Sequence, residues 1–143
     1  MANIFSFTIP GAPVAKGRAR SFLRQGRIAH YTPQKTAQYE NLVQLVAQQA
    51  MGKATPITCA VTLNIRAFLS IPTSWSRKKQ LAAAVGEIVP TKRPDLDNLI
   101  KAIKDGANAV IWIDNSQVID IYASKRYGAP RVEVEIQRYI ANQ

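Results

Sequence analysis

The sequence predicts an α+β fold: a single small domain over residues 1–143, in which helices cover a mixed β-sheet of about four strands. The length supports one domain, because 143 residues is a typical domain size. The composition supports a real core, because 47% of the residues are apolar, which is too many for a disordered chain. The apolar periodicities follow one another in the order β-α-β-α-α-β-β, which is typical of one sheet with helices packed on it.

The first half of the chain is predicted to hold two strands and one helix. Residues 3–10 alternate loosely and end at a proline, as a strand does. Residues 10–33 are rich in proline, glycine and basic residues, so we expect a loop or arm there. Thr32-Pro33 combines an N-cap residue with a proline at the first helical position, and a helical apolar stripe follows over 33–50. The alternation over 56–69 predicts a long, half-buried strand.

The second half is predicted to hold two helices and two strands. A short helix is expected from an N-cap at Ser74 to about Ala84, and a second one from about Asp97 to Asn108. A short apolar run, residues 110–113, leads out of the second helix. Two strands over 117–127 and 131–140 close the chain, and the last of them alternates cleanly between apolar and polar residues.

Charge and composition narrow the classes of function. Lys and Arg number 19 against 9 Asp and Glu, a net charge of +10, so we expect a polyanionic partner such as nucleic acid. One cysteine, Cys59, excludes an internal disulfide framework and is expected in the core. A single histidine, His30, argues against zinc sites. Because no apolar run approaches ~18 residues and the N-terminus lacks a signal-peptide pattern, we expect a cytoplasmic protein with no membrane partner.

All five aspartates lie between positions 95 and 120, although the chain is otherwise strongly basic. The sharpest motif is R-P-D-L-D-N at residues 93–98, followed by Lys101. Because proline keeps the preceding residue out of the helical region, the chain is expected to enter Asp95 extended, with Asp95 and Asp97 pointing to one side. A helix from Asp97 onward places Lys101 one turn later on the same face. Two carboxylates and an ammonium group are thus expected to converge at a helix N-terminus.

This arrangement suits a magnesium site for phosphodiester hydrolysis. Mg²⁺ is usually held by a few carboxylates together with water and substrate phosphate, and a neighbouring lysine stabilises developing charge. The alternative is ordinary capping, with Asp97 as the cap, Asp95 in an Asx turn and Lys101 as a solvated partner. Asp114 and Asn115 pose the same choice, since they either form a turn or bring a third oxygen ligand back to the first two.

A basic cluster lies near the N-terminus. Three of its members, beginning at position 16, are spaced by two residues, so an extended arm carries them on one face at ~6.7 Å steps. Five positive charges in 12 residues without an acid repel one another unless a polyanion is present. We expect salt-dependent phosphate contacts here, and two further cations beside the acidic motif extend the surface. The predicted DNA-binding residues are Lys16, Arg18, Arg20, Arg24, Arg27, Lys92 and Arg93.

These motifs resemble the RusA family of Holliday junction resolvases, small endodeoxyribonucleases of bacteria and their prophages. The resemblance is carried by R-P-D-L-D-N-L-x-K at residues 93–101 and by W-x-D-[DN]-S-Q-V at residues 112–118. The segment G-A-P-V-A-K-G-R-A-R at residues 11–20 adds to it, and the similarity runs in order over nearly the whole chain. It implies a homodimer that binds four-way DNA junctions and makes paired nicks in recombination and repair, with Mg²⁺ or Mn²⁺ as cofactor.

Carried over by position, the resemblance implies that Asp95 and Asp97 bind the metal ion and that Lys101 is the catalytic lysine. The third family carboxylate comes from an Asp-Asp pair, usually from its second member, and here the pair reads Asp114-Asn115. We expect Asp114 to be the third catalytic and metal-binding carboxylate, with Asn115 as a neutral alternative ligand. The departure leaves open a catalytically impaired, branched-DNA-binding member of the family. An RNA-binding basic protein explains the charge but not the clustered aspartates.

Overall fold

A four-stranded mixed sheet with helices against one face is the framework of the fold. The computed structural model describes residues 4–17, 20–31 and 34–140, with the backbone alone for 20–24 and 28–31. Its strands and helices are, in chain order, β1 (Ile4–Pro10), β2 (Arg20–Arg24), β3 (Arg27–Tyr31), α1 (Gln34–Met51), β4 (Val61–Leu69), α2 (Arg77–Ala84), α3 (Leu96–Ala107), β5 (Val118–Tyr127) and β6 (Arg131–Arg138). A 3₁₀ turn at Asn115–Gln117 joins α3 to β5.

The sheet has the strand order β1-β6-β4-β5. β4 and β5 run parallel, with Ile65 opposite Ala123, whereas β6 is antiparallel to both β1 and β4. A parallel pair needs a long crossover connection, and the segment that carries α2 and α3 provides it. The predicted α+β domain with a four-stranded mixed sheet is therefore confirmed.

The main core lies between one face of the sheet and the helices α1 and α3. Every second residue of β4, from Val61 to Leu69, is buried, as the period of the pleat requires. Ile111 and Trp112, which follow α3, are fully buried as well. The buried stripe of α3 consists of Leu99, Ala102, Ile103, Gly106 and Ala107. This stripe fixes the rotation of α3 and leaves Asp97 and Lys101 exposed on its outer face.

Gly106 allows α1 and α3 to approach closely. A Cβ at this position would stand 2.6 Å from the Cβ of Val43 and 2.9 Å from the backbone carbonyl oxygen of Glu40. Unstrained contacts of this kind are about 3.5–4.0 Å, so no side chain fits between the helices here. The close contact sets Asp105, the neighbour of Gly106, beside the segment of α1 that carries Glu40.

The arm expected over residues 10–33 is only partly a loop. β2 and β3 form an antiparallel hairpin within it, with Arg24 opposite Arg27. The two turn residues, Gln25 and Gly26, have φ angles of 53° and 76°, and two successive positive φ angles are typical of the tight turn that joins hairpin strands. The expectation of a loop throughout is wrong because a two-residue turn ending in glycine lies between two short segments that pair as strands.

The strand expected over residues 56–69 begins only at Val61. Ile57 forms an isolated bridge to Trp112 outside the regular strand. Cys59 is exposed and not part of the core, which corrects its assignment to the core. The physical reason lies in the backbone, since the carbonyl groups of Ile57 and Cys59 both accept hydrogen bonds from the side-chain amide of Gln117, at 2.8 and 2.9 Å. These residues therefore bond to the turn that carries Gln117, and the alternating residues pair with neighbouring strands only from Val61 onward.

The helices agree with the sequence in type and differ at their ends. α1 confirms the helix expected over 33–50, and its Thr32-Pro33 start signal lies outside the described residues. The N-cap of α2 is Ser76 and not Ser74, because the Ser76 hydroxyl accepts the Lys79 N–H at 3.2 Å. Among the described residues, no helix combines the length and the apolar character needed to cross a membrane.

Candidate active site

Two exposed carboxylates stand at the start of α3. Asp95 occupies the N-cap position with an extended backbone (φ −72°, ψ 141°), and Asp97 lies in the first turn. The Asp95 side chain makes no capping hydrogen bond, so capping does not explain its presence. Both side chains are exposed, and the unsatisfied backbone N–H groups of this helix end favour negative charge nearby.

The loop that leads into α3 is held by a lysine from the neighbouring edge strand. The Lys125 ammonium group, on β5, donates to the carbonyl oxygens of Lys92 at 2.8 Å and of Pro94 at 3.1 Å. Two charge-assisted bonds to consecutive parts of one loop restrict its conformation, and Asp95 comes directly after it. Lys125 is therefore a supporting residue of the site. The sequence shows its charge but gives no signal of this contact, because 31 residues separate it from Pro94.

A cleft of about 690 Å³ opens beside Asp95. Three cationic side chains border it: Lys16 from the N-terminal arm, Lys35 at the start of α1, and Arg93 before α3. The arm is fixed on this side by backbone contacts, since the Lys16 N–H donates to the carbonyl oxygen of Asn98 at 3.0 Å. A carboxylate among several cations suits a phosphodiester bound together with a divalent ion, because the cations neutralise the phosphate while the carboxylate binds the metal.

Asp114 belongs to a capped turn. Its carboxylate accepts the Ser116 N–H at 3.0 Å and also the Ser116 hydroxyl. In return, the Gln117 side chain accepts the Asp114 N–H at 2.8 Å, which completes a capping box. The hydrogen bonds from Ser116 are the main cause of a pKa of the Asp114 carboxyl below its ordinary value. The segment therefore forms the turn that its composition favours, and the role of Asp114 as a metal ligand stays a prediction.

Asn115 joins a network of polar side chains that reaches the arm. Its side-chain oxygen accepts the Trp112 indole N–H at 2.9 Å, and its amide nitrogen donates to Asp105 Oδ1 at 3.0 Å. The second oxygen of Asp105 accepts from Lys16 Nζ at 2.6 Å, and Lys16 also donates to Glu40 Oε2 at 3.0 Å. The bond to Asp105 is the main cause of a raised pKa of Lys16. Sequence analysis missed the roles of Asp105 and Glu40.

The two predicted groups of metal ligands, Asp95 with Asp97 and Asp114 with Asn115, lie near different parts of α3. Asp97 lies in its first turn, whereas Asn115 is bonded to Asp105, eight positions later and about 12 Å along the helix axis. Within residues 4–17, 20–31 and 34–140, no group of three or more His, Cys, Asp or Glu side chains is placed to hold one metal ion. The convergence of Asp95, Asp97 and Asp114 on one ion stays a prediction. Two exposed carboxylates nevertheless fit Mg²⁺, which commonly takes one or two carboxylates together with water and substrate phosphate.

The predicted DNA-binding residues fall into three groups. Lys16 and Arg93 border the cleft, and Lys92 lies in the loop held by Lys125. Arg20, Arg24 and Arg27 lie on the β2–β3 hairpin, where Arg27 is exposed. Arg18 lies outside the described residues. Of the first group, Lys16 is already paired with two carboxylates, so its charge is largely neutralised within the protein.

Comparison with known proteins assigns the chain to a protein family. The RusA family, described as Endodeoxyribonuclease RusA, matches residues 10–137, a range that contains every predicted site residue. The chain is also 40% identical over 142 residues to the uncharacterized protein YqaN of Bacillus subtilis (strain 168), with 97% of this chain and 99% of that protein covered. The resemblance inferred from the motifs is confirmed: the chain belongs to the RusA endodeoxyribonuclease family.

Proposed function

We propose that the protein is a Mg²⁺-dependent endodeoxyribonuclease that resolves four-way DNA junctions by paired nicks in recombination and repair. Mn²⁺ substitutes for Mg²⁺ in this proposal, and a homodimer acts, since two nicks on opposite strands need two active sites. The observation that carries the proposal is the cleft at the start of α3, where the exposed carboxylate of Asp95 stands near the exposed cations Lys35 and Arg93. Family membership supports the choice of DNA as the polyanion.

Asp95 and Asp97 hold the divalent ion in this proposal, with water and a DNA phosphate as its other ligands. When bound, the ion supplies Lewis-acid stabilisation of the oxygens at the scissile phosphate. Lys101 follows Asp97 by one helical turn and is exposed, so its ammonium group can neutralise charge that develops on the phosphate. Asp114 is proposed as the third ligand, with Asn115 as the neutral alternative. For that role, the Asp114 carboxylate has to exchange its bonds to Ser116 for the metal.

The arginines of the hairpin and the cations of the cleft are proposed to bind the phosphate backbone. Arg20, Arg24 and Arg27 lie on the hairpin, Arg18 precedes it in the sequence, and Lys92 and Arg93 belong to the loop before α3. Such contacts give affinity that falls with salt and carries little sequence information, as recognition of a branched shape requires. Lys16 contributes by anchoring the arm, because its ammonium group already has two carboxylate partners.

Cutting of a synthetic four-way junction tests the proposal, with a linear duplex of the same sequence as the matched substrate. We expect symmetrical paired nicks in the junction with Mg²⁺ or Mn²⁺, and no nicks in EDTA. The junction should still be bound in EDTA, because phosphate contacts do not need the metal. Equal cutting of junction and duplex, or cutting that persists in EDTA, would contradict the proposal.

One observation favours a second candidate, a catalytically impaired family member that binds branched DNA. Asn115 lacks the charge of a carboxylate, and the Asp114 carboxylate is engaged by Ser116. This candidate predicts junction binding without nicking in either metal, and no recovery of nicking in Asn115→Asp. Nicking by the unmodified chain would exclude it.

A further inference from the structure

One continuous network of hydrogen bonds ties four parts of the chain together. It runs from Glu40 on α1 through Lys16 on the arm to Asp105 on α3, and from there through Asn115 to the indole of Trp112. Trp112 is fully buried, so its N–H needs a partner inside the protein, and the Asn115 oxygen provides one. The network thus begins on α1, passes through the arm and ends in the core.

The charges in this network favour an amide at position 115. Glu40 and Asp105 carry two negative charges, and Lys16 contributes one positive charge between them. The Asn115 amide nitrogen lies 3.0 Å from Asp105 Oδ1 and donates a proton to it. A carboxylate at position 115 would place two anionic oxygens at about this separation with no proton between them, which is strongly repulsive. Either a hydrogen-bond donor or a cation is needed there.

We propose that Asn115 and Lys16 are positioning residues. The Asn115 amide links residues 105 and 115 by donating a hydrogen bond, whereas two carboxylates at these positions would need a divalent cation between them. The amide fixes the turn that carries Asp114 to α3 in the absence of metal. Lys16 fixes the base of the arm to the same point, and the Gly17 N–H strengthens the attachment by donating to the Thr36 hydroxyl at 2.8 Å. The inference rests on the proposed function only in treating these segments as parts of an active site.

The two ends of α3 therefore differ in their need for a cation. The proposed ion binds at the Asp95 end, whereas the hydrogen bonds of Asp105 with Lys16 and Asn115 form without a cation. Replacement of Asn115 by aspartate should therefore create a second, structural demand for a cation. The combined exchange Asp105→Asn with Asn115→Asp should remove that demand, because an amide at 105 can donate to a carboxylate at 115 and still accept from Lys16. The Trp112 indole keeps an oxygen partner in both variants.

Thermal unfolding of three proteins, each in EDTA and in excess Mn²⁺, tests the proposal without DNA. In EDTA we expect Asn115→Asp to unfold roughly 3–10 °C below the unmodified chain. Mn²⁺ should restore most of this loss, and should shift Asn115→Asp by clearly more than it shifts the unmodified chain. The combined variant should unfold close to the unmodified chain in EDTA and show no larger response to Mn²⁺.

Two results would overturn the proposal: a melting temperature of Asn115→Asp in EDTA that equals that of the unmodified chain, or a combined variant as unstable as Asn115→Asp. If Asn115→Asp does not fold in EDTA, the combined variant decides, since its folding supports the proposal and its failure to fold contradicts it. A role in folding alone predicts neither the selective Mn²⁺ response nor the rescue by exchange. The outcome is independent of nicking, so failure of the proposed function leaves it readable.

Discussion

Replacement of Gly106 by alanine tests whether α1 and α3 approach too closely to admit a side chain at this position. The added Cβ would meet the Val43 Cβ and Cγ1 at 2.6 and 2.7 Å and the Glu40 carbonyl oxygen at 2.9 Å. Val43 is fully buried, and the carbonyl belongs to the α1 backbone, so neither gives way freely. The helices must separate by about 1 Å to reach an ordinary contact distance.

Two opposing effects set the size of the change in stability. Overpacking of this kind costs about 1–3 kcal/mol, and the involvement of a backbone atom favours the upper part of that range. Alanine in place of glycine within a helix returns about 1 kcal/mol. We expect a net loss of about 1–2 kcal/mol in the free energy of unfolding, or a fall of roughly 3–8 °C in Tm.

Urea unfolding followed by circular dichroism measures this loss. Asn41→Ala is the matched control, because Asn41 is exposed on α1 and its replacement changes helix propensity without adding a clash. The control should stay within about 0.5 kcal/mol of the unmodified chain. A Gly106→Ala protein as stable as the unmodified chain would refute the argument that the two helices admit no side chain at this position.

Two further predictions concern the loop before α3 and the capped turn. Lys125→Met removes the ammonium group that holds two loop carbonyls, so nicking should fall about tenfold. Arg126→Met removes the same charge and is the control, and junction affinity should fall no more in Lys125→Met than in this control. Equal nicking by the two variants would contradict the role of Lys125 in holding the loop. The pKa of Asp114 is lowered by hydrogen bonds from Ser116, so the stability that this carboxylate adds is present at neutral pH and is lost as the pH falls through its lowered pKa. Compared with Asp114→Asn, which caps without titrating, the unmodified chain should lose stability below about pH 4, and a pH-independent difference in urea unfolding would show that the carboxylate adds nothing through its charge.

Much of the fold could be predicted because its signals are local. The apolar stripe of α3 and the alternation of β6 identify both elements without tertiary information. The β2–β3 hairpin also has a local signal, the Gln25-Gly26 turn, but the prolines and glycines around it indicate a loop. Cys59 fits the alternation of its neighbours and is exposed, because the backbone there bonds to Gln117. Alternation alone cannot show where a strand begins to pair.

The polar network of the site could not be predicted, because its members are distant in sequence. Lys16 is 24 residues from Glu40 and 89 from Asp105, and the packing of α1 against α3 brings Glu40 and Asp105 close to each other. The spacing of residues predicts which side chains lie together within one or two turns of a helix. It does not predict contacts between the arm and two separate helices. For the same reason, the motif identified Asp95, Asp97 and Lys101 as a local group, whereas the relation of Asp114 to that group depends on the packing of the whole chain.

The most direct test of the account is junction nicking by Asp95→Asn and Asp97→Asn, compared with Asp120→Asn. All three remove one negative charge, but Asp120 lies on the edge strand β5, outside the proposed site. We expect a fall of roughly a hundredfold or more in nicking by the first two, with junction binding retained, and nicking by Asp120→Asn close to that of the unmodified chain. Undiminished nicking by both Asp95→Asn and Asp97→Asn would contradict the claim that the carboxylates at the start of α3 hold the catalytic ion.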